Sequence, residues 1–428
     1  MRRAVLWSLV LILTAAGRVP LADWPQWRGP QRDGVAADES IRTDWTARPP
    51  ELLWIAEGMG QGFASVSVVD GTLYTTGNGA QGQGQQLAAV NAVTGKVIWT
   101  TPLTDGTPQH SYPGSRSTPT IDGGRVFAIT SNGVLACLER DGGAVVWNRD
   151  FAREWKGQMM SHWGYSESPL IDGDAVICTP GGPEALLVKL DKTTGTELWR
   201  TDVPADAFGG QGTSSAAYSS IVISHGGGVK QYVQITGGGL VGVRADDGKL
   251  LWSYSRIANG TANVPTPIAV EDYVFGATGY GAGATLLRLS PDGNGGIQAV
   301  EVYFLNGAEF QNHHGGMVRY GDFIYAGHGN SSGHPVCLAW RTGDIVWGGQ
   351  LRGAGSGSAA VTGINGHLLF RYEDGTLALI KATPEKYILS GTLKPAYQES
   401  QSWSHPVVVD GRLYLREQNK LMCYDVSL

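Results

Sequence analysis

Five polar turns in this chain close on a tryptophan in the same way, and that repeat restricts the fold more than any other feature. The copies are Ala89–Trp99, Cys137–Trp147, Lys189–Trp199, Gly242–Trp252 and Cys337–Trp347. Each reads as an apolar strand, a turn ending in glycine, and a second apolar strand closed by the indole. Successive tryptophans lie 48, 52 and 53 residues apart, and the last two are 95 apart, or two units. A fixed period near 50 marks a repeat architecture whose single units cannot bury their own faces. The glycines of Thr94-Gly95, Thr194-Gly195 and Thr342-Gly343 permit the positive φ that tight hairpins require.

A second marker, an apolar strand, a polar turn and another apolar strand, precedes each tryptophan turn. Its turns fall at Asp70-Gly71, Asp122-Gly123, Asp172-Gly173, His225-Gly226, Glu271-Asp272, Tyr320-Gly321, Asn365-Gly366 and Asp410-Gly411. That makes eight units of four strands, A to D, with the tryptophan on D. The eighth unit ends after its third strand, near Lys420–Asp425, and the missing strand is available in Glu51–Ile55, which carries Trp54. An N-terminal strand completing the last blade would close the ring and leave no open edge. The sequence therefore predicts an all-β fold: an eight-bladed β-propeller of four-stranded antiparallel blades over residues 51–428. Trp54, Trp99, Trp147, Trp199, Trp252 and Trp347 are the expected blade-docking residues, each a large apolar plate for the wedge between blades. Units five, seven and eight lack an indole of their own, Tyr303 standing at the position in unit five, and are expected to dock less tightly.

Arg2 and Arg3, the apolar run Ala4–Ala16 and the small residues that follow read as a secretory signal peptide over residues 1–22. The mature chain is expected outside the cytoplasm, periplasmic or secreted, with no membrane span, and no cysteine follows the apolar run for lipid attachment. Residues 23–50 form a Trp, Pro and Arg-rich segment without a repeat partner, expected to plug a channel mouth or brace a blade. A net charge of −6, dispersed along the chain, gives no electrostatic case for nucleic acid. The four cysteines sit in apolar strands at separate repeat positions and read as buried small hydrophobes.

The pattern Ala-x-Asp-x-x-Thr-Gly-Lys-x-x-Trp, matched by residues 89–99 except at Asn91, resembles the repeat of pyrroloquinoline quinone (PQQ)-like propellers. Asp23–Pro30 also looks like the opening of secreted, BamB-like members. The resemblance implies one of two functions. Quinoprotein dehydrogenases bind PQQ and calcium, whereas BamB-like proteins are non-catalytic scaffolds in outer-membrane β-barrel assembly. The dehydrogenases resembled here carry adjacent cysteines beside the quinone, and no two cysteines of this chain are neighbours. The leading expectation is a monomeric, non-catalytic binding or assembly scaffold without a cofactor, its protein or polysaccharide partner unnamed. The alternatives are a quinoprotein-type oxidoreductase using PQQ and a divalent metal on an alcohol or sugar, and a polysaccharide-binding module.

In a propeller, the segment leading into each A strand helps build one mouth of the channel. Those segments carry His110 and Arg116 in unit two, and His162, Trp163, Tyr165 and Glu167 in unit three. Unit six contributes Asn312, His313 and His314, and unit eight contributes Trp403 and His405. If they converge, the mouth is aromatic and imidazole-rich, a setting for ligand binding. Glu167, Asn312 and Glu399 are the oxygen donors calcium would favour, and Trp163 or Trp403 the plate for a quinone. The same histidines serve equally as turn residues that satisfy exposed backbone, and the spacing does not separate these readings.

Overall fold

A computed structural model describes residues 23–36, 39–80 and 84–428. The expected signal peptide lies outside the described residues. The structure has eight sheets, and in seven of them four consecutive antiparallel strands run from A to D. Blade one is Ser67–Val69, Thr72–Asn78, Gln85–Asn91 and Val97–Pro102. Blade six, to take a second instance, is Met317–Tyr320, Phe323–His328, His334–Ala339 and Ile345–Gly348. Blade eight has only Val407–Val409, Arg412–Glu417 and Lys420–Asp425 of its own. Its D strand is Glu51–Glu57, antiparallel to Lys420–Asp425 with Trp54 opposite Cys423. The ring is closed by the strand that carries Trp54. Among the described residues, the single α-helix is Phe151–Trp155, and no helix is long and apolar enough to cross a membrane.

Among the described residues, no hydrophobic core forms at the centre of the ring. Buried side chains collect in seams between neighbouring blades. Val69, Tyr74 and Leu87 of blade one meet Ile121, Val126 and Leu138 of blade two, and equivalent seams follow around the ring. The last and largest joins blades seven, eight and one with Trp24, Ile41 and Trp45 from the N-terminal segment. All four cysteines are free and buried in these strands.

The repeat motif acts across the seams. Trp54, Trp99, Trp147 and Trp199 each cover the turn glycine of the next blade: Gly95, Gly143, Gly195 and Gly248. A methyl added at any of these glycines would lie within 3 Å of the ring, and all four have φ between 69° and 75°. Glycine is therefore required twice over, by its backbone conformation and by the indole above it. Trp147 and Trp199 also donate from Nε1 to the carbonyls of Lys192 and Ala245 in the next blade. Trp347 does the same to Thr383. Trp252 departs from the pattern, donating to Gln231 of its own blade at 2.6 Å.

The expectation of looser docking in blade five is corrected. Tyr303 covers Gly343 of blade six as the indoles do, and its hydroxyl donates to the Trp340 carbonyl at 2.9 Å. A phenol has the area of the missing plate and a hydroxyl in place of the indole N–H. In blade seven, whose outer strand is Leu389–Leu393, a tryptophan arrives from elsewhere. Trp45 packs on Gly391 and donates its backbone N–H to the Ser390 carbonyl.

The rest of the N-terminal segment runs through the channel and bonds to the A-strand side of blade after blade. Trp24 exchanges backbone bonds with Val68 of blade one, and Pro25 accepts from Ile121 of blade two. Arg32 donates to the Ser168 and Pro169 carbonyls leading blade three, and Trp27 Nε1 to Thr266 before blade five. Arg28 donates to the Met317 carbonyl of blade six. Val35–Ala36 adds a parallel fifth strand inside blade seven, and Glu39 accepts from the Asp410 N–H of blade eight. Seven of eight blades are thus tied to the N-terminal segment.

Candidate functional site

A cavity of about 320 Å³ lies on the A-strand side of the blades. Its wall is built from segments leading into A strands: Phe63 for blade one, Tyr112 and Arg116 for two, Trp163 and Ser166 for three, Tyr218 and Ser220 for four. Pro265 and Thr266 serve blade five, His313, His314 and Gly316 blade six, and Gln401, Trp403 and His405 blade eight. The loops joining strands B and C add Tyr280, Ser331 and Glu373. Trp27 and Arg28 of the axial segment form the floor. Arg28, Tyr112, Tyr280 and Ser331 have φ between 55° and 69°. Non-glycine residues held there cost energy and gather at functional sites, and this cavity is lined by four of the eleven such residues among those described.

Six of the eleven residues expected at the mouth do line the cavity: Arg116, Trp163, His313, His314, Trp403 and His405. Five do not. His162 lies against Trp163, 4.5 Å between centroids and tilted by 38°, and His110 packs against Gly164. Tyr165 is buried in the seam between blades two and three, its hydroxyl on the Pro180 carbonyl. Glu167 is buried in blade three and accepts from Thr179 N at 2.7 Å, Thr179 Oγ1 at 3.0 Å and Gln234 Nε2 at 3.3 Å. Burial still lifts its carboxyl to about 8, against the bonds from Thr179 and the nearby Arg32. Asn312 is buried too, bonded to Gly316 N–H and the Gly327 carbonyl, and so shapes the turn that presents His313 and His314. None of the three oxygen donors named for calcium lines the cavity: Glu167 and Asn312 are buried in the bonds just described, and Glu399 accepts from Tyr397 at 2.5 Å.

Several lining residues were not anticipated. Phe63 and Tyr218 sit in the leading segments of blades one and four, so applying the same positional rule to all eight units finds them. Glu373 has no such signal, because it follows a B strand in an ordinary polar turn, Tyr372-Glu-Asp-Gly375.

The aromatic wall is continuous. Trp403 lies 4.8 Å from Phe63, 5.1 Å from Tyr112 and 4.6 Å from His314, centroid to centroid. Arg116 stands 5.6 Å over the Phe63 ring, within cation–π reach. Across the cavity, Trp163 packs edge-on against Tyr218 at 5.9 Å.

The charges are unevenly answered. Arg116 donates to the carbonyls of Ser111, Tyr112 and Gly114. Arg28 is 3% exposed, is held by the Asp33 and Met317 carbonyls, and leaves Nε and Nη1 buried without a partner. Burial lowers both guanidiniums to about 10, still cationic at neutral pH. The single carboxylate in the lining is Glu373, which accepts from Trp403 Nε1 at 2.9 Å. Burial would raise Glu373, but His314, Trp403 and Ser358 outweigh it and hold the carboxyl at about 2. Burial and the cations Arg28 and Arg371 push His405 down to about 3, and burial beside His314 does the same to His313. Both of these imidazoles are neutral, so the lining has two fixed cations against one fixed anion. Such a cavity favours an anion with a flat or ring-shaped body.

The family described as outer membrane protein assembly factor BamB matches residues 84–349. No curated protein matches the sequence. Among solved structures, the quinohemoprotein alcohol dehydrogenase of Comamonas testosteroni superposes with a TM-score of 0.63 at 15% identity, over 95% of this chain and 80% of that one. A europium-containing methanol dehydrogenase gives 0.65 at 12% identity, over 92% and 89%. The computationally designed protein Ika8 gives 0.60 at 10% identity, over 88% and 100%. At these identities the likeness is one of fold.

Proposed function

The chain belongs to the outer membrane protein assembly factor BamB family, and from that premise we propose that it is an extracytoplasmic, non-catalytic binding propeller. Its axial cavity takes an anionic, ring-bearing group, of which an acidic sugar residue of a polysaccharide is the best fit. The observation that carries this reading is the lining of the cavity itself. Aromatic faces from Phe63, Tyr112, Trp163 and Trp403 surround a floor where the Arg28 guanidinium makes no salt bridge among the described residues and leaves Nε and Nη1 without a hydrogen bond. Rings stack on the indoles, while Arg28 and Arg116 supply the charge.

The lining offers little for catalysis. Glycoside hydrolysis uses two carboxyl groups flanking the bond, and here Glu373 is alone, ionised and bonded to Trp403. The quinone-plus-calcium pair, brought in by the dehydrogenases of like fold, does not fit these residues either. Calcium takes six to eight oxygen ligands, and Glu373 is the one carboxylate in reach. The cysteines are dispersed through blade interiors, so none forms a plate opposite Trp163 or Trp403.

Acidic and neutral oligosaccharides titrated into the purified chain test the reading. Saturable binding of acidic oligosaccharides, weakened by Trp403→Ala, is expected. Binding that ignores Trp403→Ala, or is found for neutral sugars alone, would sink it. A change in PQQ absorbance with added calcium, together with dye-linked alcohol oxidation, would favour the oxidoreductase instead.

A further inference from the structure

At one side of the cavity, a ring nitrogen of His313, a ring nitrogen of His314 and a carboxylate oxygen of Glu373 lie within 4.8 Å of one another. We propose that these three residues bind one divalent transition-metal ion of borderline softness, such as zinc, copper or nickel, with an open coordination position facing the cavity. Two imidazoles and one carboxylate suit such ions, whereas calcium and magnesium require more oxygen donors. Three protein ligands with a free fourth position is the arrangement of a site that also takes an exogenous ligand.

Two further observations point to an ion at this place. His314 Nδ1 is buried, has no hydrogen-bond partner and stands 3.8 Å from Glu373 Oε1. That is too long for a hydrogen bond and leaves a buried polar atom unsatisfied at a cost of about 1–3 kcal/mol. A cation between the two atoms would satisfy both. His313, moreover, is oriented from both sides: Nδ1 lies 2.8 Å from Ser358 Oγ and Nε2 2.9 Å from Tyr280 Oη. The ring nitrogen that carries the lone pair accepts from one of these hydroxyls. Replacing that hydroxyl by an ion leaves the other as the outer partner that fixes ring and tautomer.

The geometry needs adjustment but not rebuilding. Donors about 2.0–2.1 Å from a shared ion lie roughly 3.3–4 Å apart, so the three atoms must draw in by up to roughly 1 Å. The imidazoles are stacked, 3.7 Å between centroids at 21°, and opening that stack turns their lone pairs toward Glu373. Asn312 fixes the turn beneath them through Gly316 and Gly327, so the movement is confined to side chains.

The site stands independently of the anionic ligand, because metal binding is read on the protein alone. The full chain, stripped with a chelator, is titrated with zinc by calorimetry, and cobalt(II) absorption reports the ligand field. One ion per chain is expected, with visible cobalt bands from a four- or five-coordinate site. His314→Ala and Glu373→Gln should each weaken binding at least about 100-fold, since losing an outer partner alone costs about 10–100-fold. His225→Ala, at an exposed hairpin turn of blade four, should change nothing. Glu373→Gln keeps side-chain volume and the acceptor for Trp403, so it remains readable if His314→Ala fails to fold. Absence of saturable binding, or full binding by either variant, overturns the proposal.

Discussion

Replacing Glu417 by glutamine should unsettle both the fold and the cavity, because one carboxylate serves the two. Glu417 Oε2 accepts from Arg371 Nη2 at 2.8 Å and from Ser402 Oγ at 2.6 Å, while Oε1 accepts from Ser400 N at 3.0 Å. Arg371 and Glu417 are 0% and 1% exposed. Arg371 Nη1 spends its hydrogens on the Ser404 and Arg416 carbonyls, and among the described residues no second anion pairs with the guanidinium. Removing one member of such a buried pair costs about 3–5 kcal/mol, because the partner charge is left uncompensated. The chain of 428 residues should unfold with an entropy of about 0.9 kcal/mol/K, from about 2.1 cal/mol/K per residue. A loss of that size therefore lowers the melting temperature by roughly 3–6 °C. The carboxylate also anchors residues 400–402, next to Trp403 and His405 in the cavity wall, so ligand affinity should fall in the same variant. Calorimetric melting of the wild type, Glu417→Gln and the paired replacement Arg371→Met/Glu417→Leu measures the effect. The double variant should recover most of the loss, because no lone charge remains. A shift below about 1 °C in Glu417→Gln, or a double variant worse than the single, would refute the reasoning.

Three other outcomes follow from the same contacts. Tyr303→Phe should keep the plate over Gly343 but lose the bond to Trp340, destabilising by about 1 kcal/mol in thermal melts; a loss near zero would mean that the hydroxyl is solvated. Stability should decline in acid through His405. Its folded pKa, about 3, lies below the ordinary imidazole value of about 6.5. The unfolded chain therefore binds the extra proton first, and the contribution, full above about 6.5, is lost as the pH falls toward 3. His405→Gln should flatten that slope in pH-dependent melts. Arg116→Met should weaken binding of an acidic ligand and reduce its salt dependence, while leaving a neutral analogue unaffected.

The fold was legible in the sequence because the repeat has a physical cause written in single residues. A turn glycine and a D-strand indole are two halves of one inter-blade contact, so both recur at the blade period. Trp54 could be placed in blade eight for the same reason. Tyr303 shows the limit of reading that motif by residue identity, since a phenol does the same job with a different letter. The cavity was half legible. Position before an A strand singles out Arg116, Trp163, His313, His314, Trp403 and His405, which line the cavity. It did not tell which neighbours turn inward, and Tyr165, Glu167 and Asn312 are taken up by seams and turns. Glu373 was hidden because the connections between strands B and C differ in length and composition from blade to blade and carry no repeat signal. Arg28 belongs to a segment without a repeat partner, where periodicity says nothing about what it touches.

The central claim is that charge on the cavity floor selects the ligand. It is tested most directly by comparing one acidic oligosaccharide with its carboxyl-reduced, neutral counterpart, for the wild type and for Arg28→Met. Charge-assisted bonds to a desolvated guanidinium should give the acidic form at least about a tenfold advantage, or roughly 1.4 kcal/mol, that Arg28→Met largely removes. Equal affinities for the two sugars, or an advantage untouched by Arg28→Met, would contradict the account.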